Sequence, residues 1–313
     1  MFCCRSPDSP YTCCNPLSNL TNDWGCTGKD FKGDLHGSLP SVVPEGRFTA
    51  FDPQNPNISQ QPSWPGDPIW MAAATILPLE HYRSTGDVVV AKAAYPAAKA
   101  LVDFFARQGD PVINFGAEND WLAIEACVPT ARRKWSLPGP SCLLANISFA
   151  SAQIAATDAV ARLAEAVGVG ADARKYFALL ANLREVFHHH FFNNETQSYG
   201  NGTQTAQILP LYFNVTPVAQ QASVVAALVK SLTGPAGPIH DVHHDCNGTT
   251  PCLASGFWGT RYALQALAQY GHANLSLALA TKTAAPSWGA MVNSKPGTLW
   301  EQWVPPVGGA QSR

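Results

Sequence analysis

The sequence predicts an all-α fold built from helical hairpins, and three observations carry that expectation. Apolar residues recur at helical spacing over most of residues 67–283, with almost no strand-like alternation. The apolar segments are punctuated by Gly, Pro and capping residues where helices start and stop. The connections alternate between short turns and long loops. A toroid of helical hairpins has that character, with the long loops gathered at one end to build a site. A helical solenoid or an irregular bundle are the alternatives, and no fixed sequence period supports a solenoid. At 313 residues the chain can bury one large core or two ordinary ones. Charged residues are 13%, against a usual ~25%. The net charge is −2 with no basic block, which argues against nucleic acid or an anionic membrane as partner. No apolar run approaches the ~20 residues that span a bilayer.

Taken in order, residues 1–66 read as an extended N-terminal segment rich in Pro, Gly, Ser, Asn and Cys, with an ordered crossing at Gly37–Pro44. A helical domain is expected over 67–313. Its first helix runs from Pro68 to Tyr82 and closes at Thr85-Gly86-Asp87. The second runs from Val88 to Arg107, with Tyr95, Val102, Phe104 and Phe105 as buried candidates, and stops at Gly109. A loop over 109–145 follows, long enough to suggest function. Ile147 to Val167 ends at Gly168, and Asp172 is expected to cap a helix with Tyr176, Phe177, Leu180, Leu183 and Phe187 at helical spacing. A short helix spans Thr203 to Phe213. Thr216-Pro217 reads as a cap and first position for a helix to Leu232, with Val218, Ala222, Val225, Leu228, Val229 and Leu232 on one stripe. A second long loop, 233–255, precedes a helix from Gly256 to Tyr270, and Asn274 to Thr283 is a further short one.

Compartment is read from modification signals. N-x-S/T acceptors occur at Asn19, Asn57, Asn146, Asn194, Asn201, Asn214, Asn247 and Asn274, mostly at loop-like positions. They predict passage through a secretory pathway, so that the protein is secreted or lumenal. Among nine cysteines, Cys127/Cys142 and Cys246/Cys252 bracket Pro- or Gly-rich loops and could close as local disulfides. Met1-Phe-Cys-Cys-Arg has no apolar signal core, so the chain is expected to lack its true beginning.

The chemistry centres on Pro286–Trp303. Glu301 lies between Trp300 and Trp303, with Trp288 upstream. Indole faces stack on the apolar face of a pyranose, and a carboxylate among them can activate water at an anomeric carbon. The bland alternative is a packed W-x-x-W turn. His240, Asp241, His243, His244 and Asp245 superficially suggest a metal site, but they lie in a loop beside a glycosylation signal, and no metal or cofactor is expected. His188-His189-His190 ends a helix and reads as structural. No serine has a G-x-S-x-G context.

Several segments, in order, resemble the catalytic domain of the α-L-rhamnosidases, glycoside hydrolase family 78, of the six-hairpin glycosidase superfamily. They are G-S-L-P-S-V-V-P at 37–44, W-M-A-A-A-T-I-L-P-L-E-H-Y-R-S-T-G-D at 70–87, D-W-L-A at 120–123, T-Q-T-A-Q-I-L-P-L-Y-F at 203–213, S-G-F-W-G-T-R-Y-A-L-Q-A-L at 255–267, and P-S-W-G with G-T-L-W-E-Q-W at 286–303. The resemblance implies an (α/α)6 toroid, here incomplete at the N-terminus, and inverting hydrolysis of terminal α-L-rhamnosides in a carbohydrate substrate. It implies Glu301 as general base, and Trp300, Trp303 and Trp121 as aromatics presented to the sugar. Asp120 would bond a hydroxyl or hold its loop, and Trp70 and Trp288 would line the pocket. Where the family helix reads W-G-D this chain has Trp70-Met71-Ala72, so Asp67 would have to replace the missing aspartate. Nothing matches the family's upstream motif carrying the general acid, and its Asn-His segment after W-E-x-W is also missing. The alternatives are therefore a carbohydrate-binding relative that has lost the acid, or a related (α/α)6 glycosidase acting on another sugar.

Overall fold

The computed structural model describes residues 68–107, 120, 123, 143–234, 250–294, 297–300 and 303, with the backbone alone at 41–42, 48–49 and 143–145. Those residues are helical almost throughout. A minimal antiparallel pair, β1 (Ser41–Val42) and β2 (Phe48–Thr49), comes first. The helices are α1 (Pro68–Thr85), α2 (Val88–Ala106), α3 (Leu143–Ala166), α4 (Gly170–Phe191), α5 (Gln204–Tyr212), α6 (Val218–Thr233), α7 (Phe257–Gln269), α8 (Ala273–Thr281) and α9 (Trp288–Asn293). A second short pair, β3 (Phe192–Asn193) and β4 (Ser198–Tyr199), follows α4. Helical hairpins expected from the sequence are present as α1–α2, α5–α6 and α7–α8, and α3 is followed directly by α4.

The turns explain why these helices stop where they do. Gly86, at φ +72°, closes α1, and the Asp87 side chain then accepts from Val89 N at 2.8 Å to open α2, a cap worth ~1 kcal/mol. Gly168 takes φ +82° between α3 and α4. Pro217 stands at the N-cap of α6 instead of its first turn, because Val215 N and Thr216 N still bond Pro210 O at the end of α5. Asp172 lies inside the first turn of α4, where it accepts from the Tyr95 hydroxyl at 2.7 Å instead of capping the helix.

The chain divides into two compact units, Met1–Ala117 with Ala152–Leu183 and Glu118–Ser151 with Arg184–Arg313. In the first unit, α1 packs on α2, which buries Ala91, Tyr95, Ala98, Leu101, Val102 and Phe105 at i, i+3, i+4 spacing. Each fully buried Leu, Val or Phe contributes ~1.5–3 kcal/mol of burial. Phe104 is half-buried, as is Phe177 on α4. Polar links join α2 to α4: Asp103 accepts from Tyr176 Oη at 2.7 Å and from Lys175 Nζ at 2.8 Å, and Lys99 Nζ reaches its other oxygen at 2.6 Å.

In the second unit, α5 packs against α6 and α7, α7 against α8, and α8 against α9. Phe213, Trp258, Tyr262 and Tyr212 interlock here through ring contacts at 4.3–6.2 Å. The buried stripe of α6 is Val224, Val225, Leu228 and Leu232. This corrects the sequence expectation. Val225, Leu228 and Leu232 of the expected stripe are buried, whereas Val218, the first residue of the helix, is 83% exposed and Ala222 is exposed, with Val224 buried in their place. The His188–His190 run ends α4 as expected, with His188 stacked on Phe192 and bonded through Nδ1 to Tyr199 Oη at 2.8 Å. No helix among the described residues is long and apolar enough to cross a membrane.

Candidate active site

The tryptophan stretch begins with a local structure that its sequence dictates. A cis Ala285–Pro286 peptide leads into Ser287, whose Oγ accepts from Ala290 N at 3.0 Å and so caps α9. Gly289 is required by close approach: a Cβ there would lie 2.5 Å from Lys282 O and 2.9 Å from the Thr283 Cα. The P-S-W-G string thus encodes a turn, a cap, an indole and a point of backbone contact. The indole of Trp288 is half-buried and meets Trp303 edge-on, with centroids 5.2 Å apart at 66°.

Trp303 is 7% exposed, and its Nε1–H donates to Ser255 O at 2.8 Å. Its indole is therefore held at both its polar edge and its ring. Trp300 is half-buried, and its backbone N–H lies 3.4 Å from the Met291 sulfur. Of the two indoles that flank Glu301, Trp300 keeps the more open surface.

The segment that receives Trp303 is itself fixed by Asp120, a carboxylate with no solvent exposure. Oδ1 accepts from Trp258 N at 2.7 Å and from Gly259 N at 3.1 Å. Oδ2 accepts from Gly256 N at 2.8 Å and from the Thr205 hydroxyl at 2.5 Å. Trp258 and Gly259 belong to the first turn of α7, where N–H groups have no intrahelical partner. The N-cap residue is Gly256, which has no side chain to cap with, so Asp120 supplies the cap from a distant part of the chain. Burial pushes its carboxyl above the ordinary carboxylate value, against the lowering pull of Thr205 and of the N–H groups of Gly259, Gly256 and Trp258. Gly259 has to be glycine here. A Cβ would sit 2.5 Å from Thr205 Oγ1, 2.8 Å from Asp120 Oδ2 and 2.9 Å from Ser255 Cβ.

Two buried glutamines of the T-Q-T-A-Q string complete the frame. Gln204 accepts from Ala254 N at 2.8 Å and donates to Cys252 O at 2.9 Å and Ser231 O at 3.1 Å. Gln207 accepts from Tyr199 N at 2.9 Å and donates to Tyr199 O at 2.9 Å and Thr203 O at 3.1 Å. A primary amide carries the same donor and acceptor as a peptide, so each stands in for a missing strand partner along irregular backbone. Trp258 Nε1 donates to Ser151 Oγ at 2.9 Å, which ties α7 to α3.

The D-W-L-A, T-Q-T-A-Q, S-G-F-W-G and W-E-Q-W strings, separated in sequence, therefore meet at one place in the second unit. Of the residues predicted from sequence, Asp120, Trp288, Trp300 and Trp303 are in that unit. Trp70 is on α1 of the first unit and 50% exposed. Glu301, Trp121 and Asp67 lie outside the described residues, as do His240–Asp245, Cys127, Cys142 and Cys246. Among the described residues, no group of three or more His, Cys, Asp or Glu is placed to hold a metal ion. Sequence reasoning missed Thr205, Ser255 and Gly259. Their signal was their position inside strings already recognised, and it did not say what they do.

Residues 17–311 match the family model described as the bacterial alpha-L-rhamnosidase 6 hairpin glycosidase domain. A curated alpha-L-rhamnosidase of Alteromonas sp. is 29% identical over 240 residues, 75% of this chain and 24% of that protein. One of Streptomyces avermitilis is 27% identical over 274 residues, 86% of this chain and 23% of that protein. The crystal structure of Streptomyces avermitilis alpha-L-rhamnosidase complexed with L-rhamnose superposes with a TM-score of 0.66 at 24% identity, covering 87% of this chain and 23% of that one. The chain spans about a quarter of the length of the curated relatives it matches.

Proposed function

The chain belongs to the bacterial alpha-L-rhamnosidase six-hairpin glycosidase family, and on that premise we propose that it hydrolyses terminal α-L-rhamnosidic bonds with inversion of configuration. Glu301 is the general base. It takes a proton from water as the water oxygen attacks the anomeric carbon, and the glycosidic C–O bond breaks with a proton delivered to the leaving oxygen by a general acid. Inversion requires these two carboxyls ~6.5–9.5 Å apart to leave room for the water. The acid is not assigned to a residue of this chain. Trp300 offers its indole face to the sugar ring, and Trp303 anchors the segment through its bond to Ser255 O.

One observation carries this reading: the segment containing Glu301 is flanked by an indole anchored to Ser255 O and gathered with three other family strings around Asp120. Release of nitrophenol from an aryl α-L-rhamnoside tests it. Glu301→Gln should lower the rate by about 10²–10⁴-fold, the usual worth of a general base. Proton NMR of the first product should show β-L-rhamnose before mutarotation. Initial release of the α anomer would rule out inversion, and an undiminished Gln variant would remove Glu301 from the role. Rhamnose that binds and quenches tryptophan fluorescence without turnover would favour the carbohydrate-binding relative.

We also propose a secretory route for the protein. Asn194, Asn201, Asn214 and Asn274 are exposed, at turns or a helix start, which supports glycan attachment there. Asn146 differs, since it lies within α3 two residues from the wholly buried Ser148. The same route would suit closure of the 246–252 loop by a Cys246–Cys252 disulfide, as the Gly- and Pro-containing spacing suggests.

A further inference from the structure

A single peptide unit lies between the buried carboxylate and the indole beside Glu301. The Ser255–Gly256 peptide donates its N–H to Asp120 Oδ2 at 2.8 Å and accepts Trp303 Nε1–H on its carbonyl at 2.8 Å. A trans peptide is planar, with N–H and C=O pointing in opposite directions, so fixing one end fixes the other. Asp120 thereby aims the Ser255 carbonyl. It also polarises the unit, because electron density drawn onto the carbonyl oxygen strengthens the bond from Trp303. Its second oxygen pins Trp258 and Gly259, so the peptide cannot rotate without uncapping α7. Trp303 is two residues from Glu301, a reach of ~7 Å at most along the chain.

We propose that Asp120 is a positioning residue for the base: through the Ser255–Gly256 peptide it sets the placement of the Trp303 indole, two residues along the chain from Glu301. The function of the Trp300–Trp303 segment rests on the reading above, but the mechanical link does not. Thr205 belongs to the same device, since its hydroxyl donates to the oxygen that grips Gly256.

The test reads Trp303 directly. In ¹⁵N-labelled protein without sugar, the indole N–H resonance of Trp303, assigned by its disappearance in Trp303→Phe, reports the bond to Ser255 O. Asp120→Asn should shift that resonance towards the position of a water-exposed indole. Should that variant not fold, Thr205→Val supplies the milder perturbation, and Thr205→Ser should restore the wild-type position. Gln207→Leu, which cuts the comparable clamp on β4, should lower the melting temperature and leave the Trp303 resonance in place. On aryl α-L-rhamnoside, Thr205→Val should reduce kcat by about tenfold with KM changed less than threefold. Combined with Trp303→Phe, it should cost no more than Trp303→Phe alone. An indole resonance that stays put in both Asp120→Asn and Thr205→Val, or that moves equally in Gln207→Leu, overturns the proposal. So do rate losses that multiply in the double variant. A moving resonance in a protein that neither cleaves nor binds rhamnoside leaves the positioning device standing and removes the functional reading alone.

Discussion

Each of the two units holds a carboxylate at a junction of its elements, and the two are held in opposite ways. Asp103, in the first unit, is a partly exposed side chain gripped by Lys99, Lys175 and Tyr176. Asp120, in the second, is wholly buried and gripped mainly by backbone N–H groups. Burial pushes Asp103 upward, but the hydrogen bonds from Lys175, Lys99 and Tyr176 outweigh it and hold its carboxyl at about 2. Burial wins at Asp120, which lies above the ordinary value. Flexible lysines can follow a helix that shifts slightly, so Asp103 adds stability without dictating geometry. Fixed N–H donors cannot follow, so Asp120 dictates geometry at the cost of desolvation. The first arrangement joins regular helices, whereas the second shapes irregular backbone beside the proposed site.

The comparison is broken most severely by Asp120→Ala. It strands three buried N–H groups and opens the start of α7, and should cost about 3–5 kcal/mol in urea unfolding followed by tryptophan fluorescence. A loss below ~1 kcal/mol would mean that water replaces the carboxylate and that the contrast is false. Asp103→Asn should cost about 1 kcal/mol near neutrality, and it sharpens the contrast through pH. The folded value of about 2 lies below the ordinary 3.8, so the carboxylate's contribution is complete above pH ~4 and is lost as pH falls through about 2. The urea midpoint of the wild type should therefore drop over that window, and the Asn variant should drop less steeply. The smallest effect is expected from Lys99→Met, within about 0.5 kcal/mol, because Lys175 and Tyr176 still hold Asp103. A large loss there would show that the lysines are as directional as the backbone donors of Asp120.

The helices were legible because their ends are written in residue types: Gly86 and Gly168 at positive φ, Asp87 at a cap, apolar residues at helical spacing between them. Helix α9 was not legible, being a single short element inside a string whose tryptophans drew a chemical reading. The β3–β4 hairpin was hidden because Phe191 continues an apolar pattern directly into Phe192. The stripe on α6 was right at Val225, Leu228 and Leu232 and wrong at Val218 and Ala222, because Val218 and Val224 look alike in sequence and tertiary packing chose between them. At the candidate site, residues of the recognised strings come together around Asp120, yet their joint was invisible in the sequence. Most partners of Asp120 are main-chain N–H groups, which every residue but proline carries, so no residue type could announce them. Gly259 was the exception, since the space for a Cβ is already taken.

The grip on Gly256, Trp258 and Gly259 has a consequence in time as well as in space. Amide protons of a connecting segment normally trade with solvent as the segment breathes. These three face a carboxylate without solvent exposure, and they are released only when that carboxylate is abandoned. The start of α7 thus moves on the clock of the unit's core, and a stretch with the composition of a loop has the persistence of an interior helix.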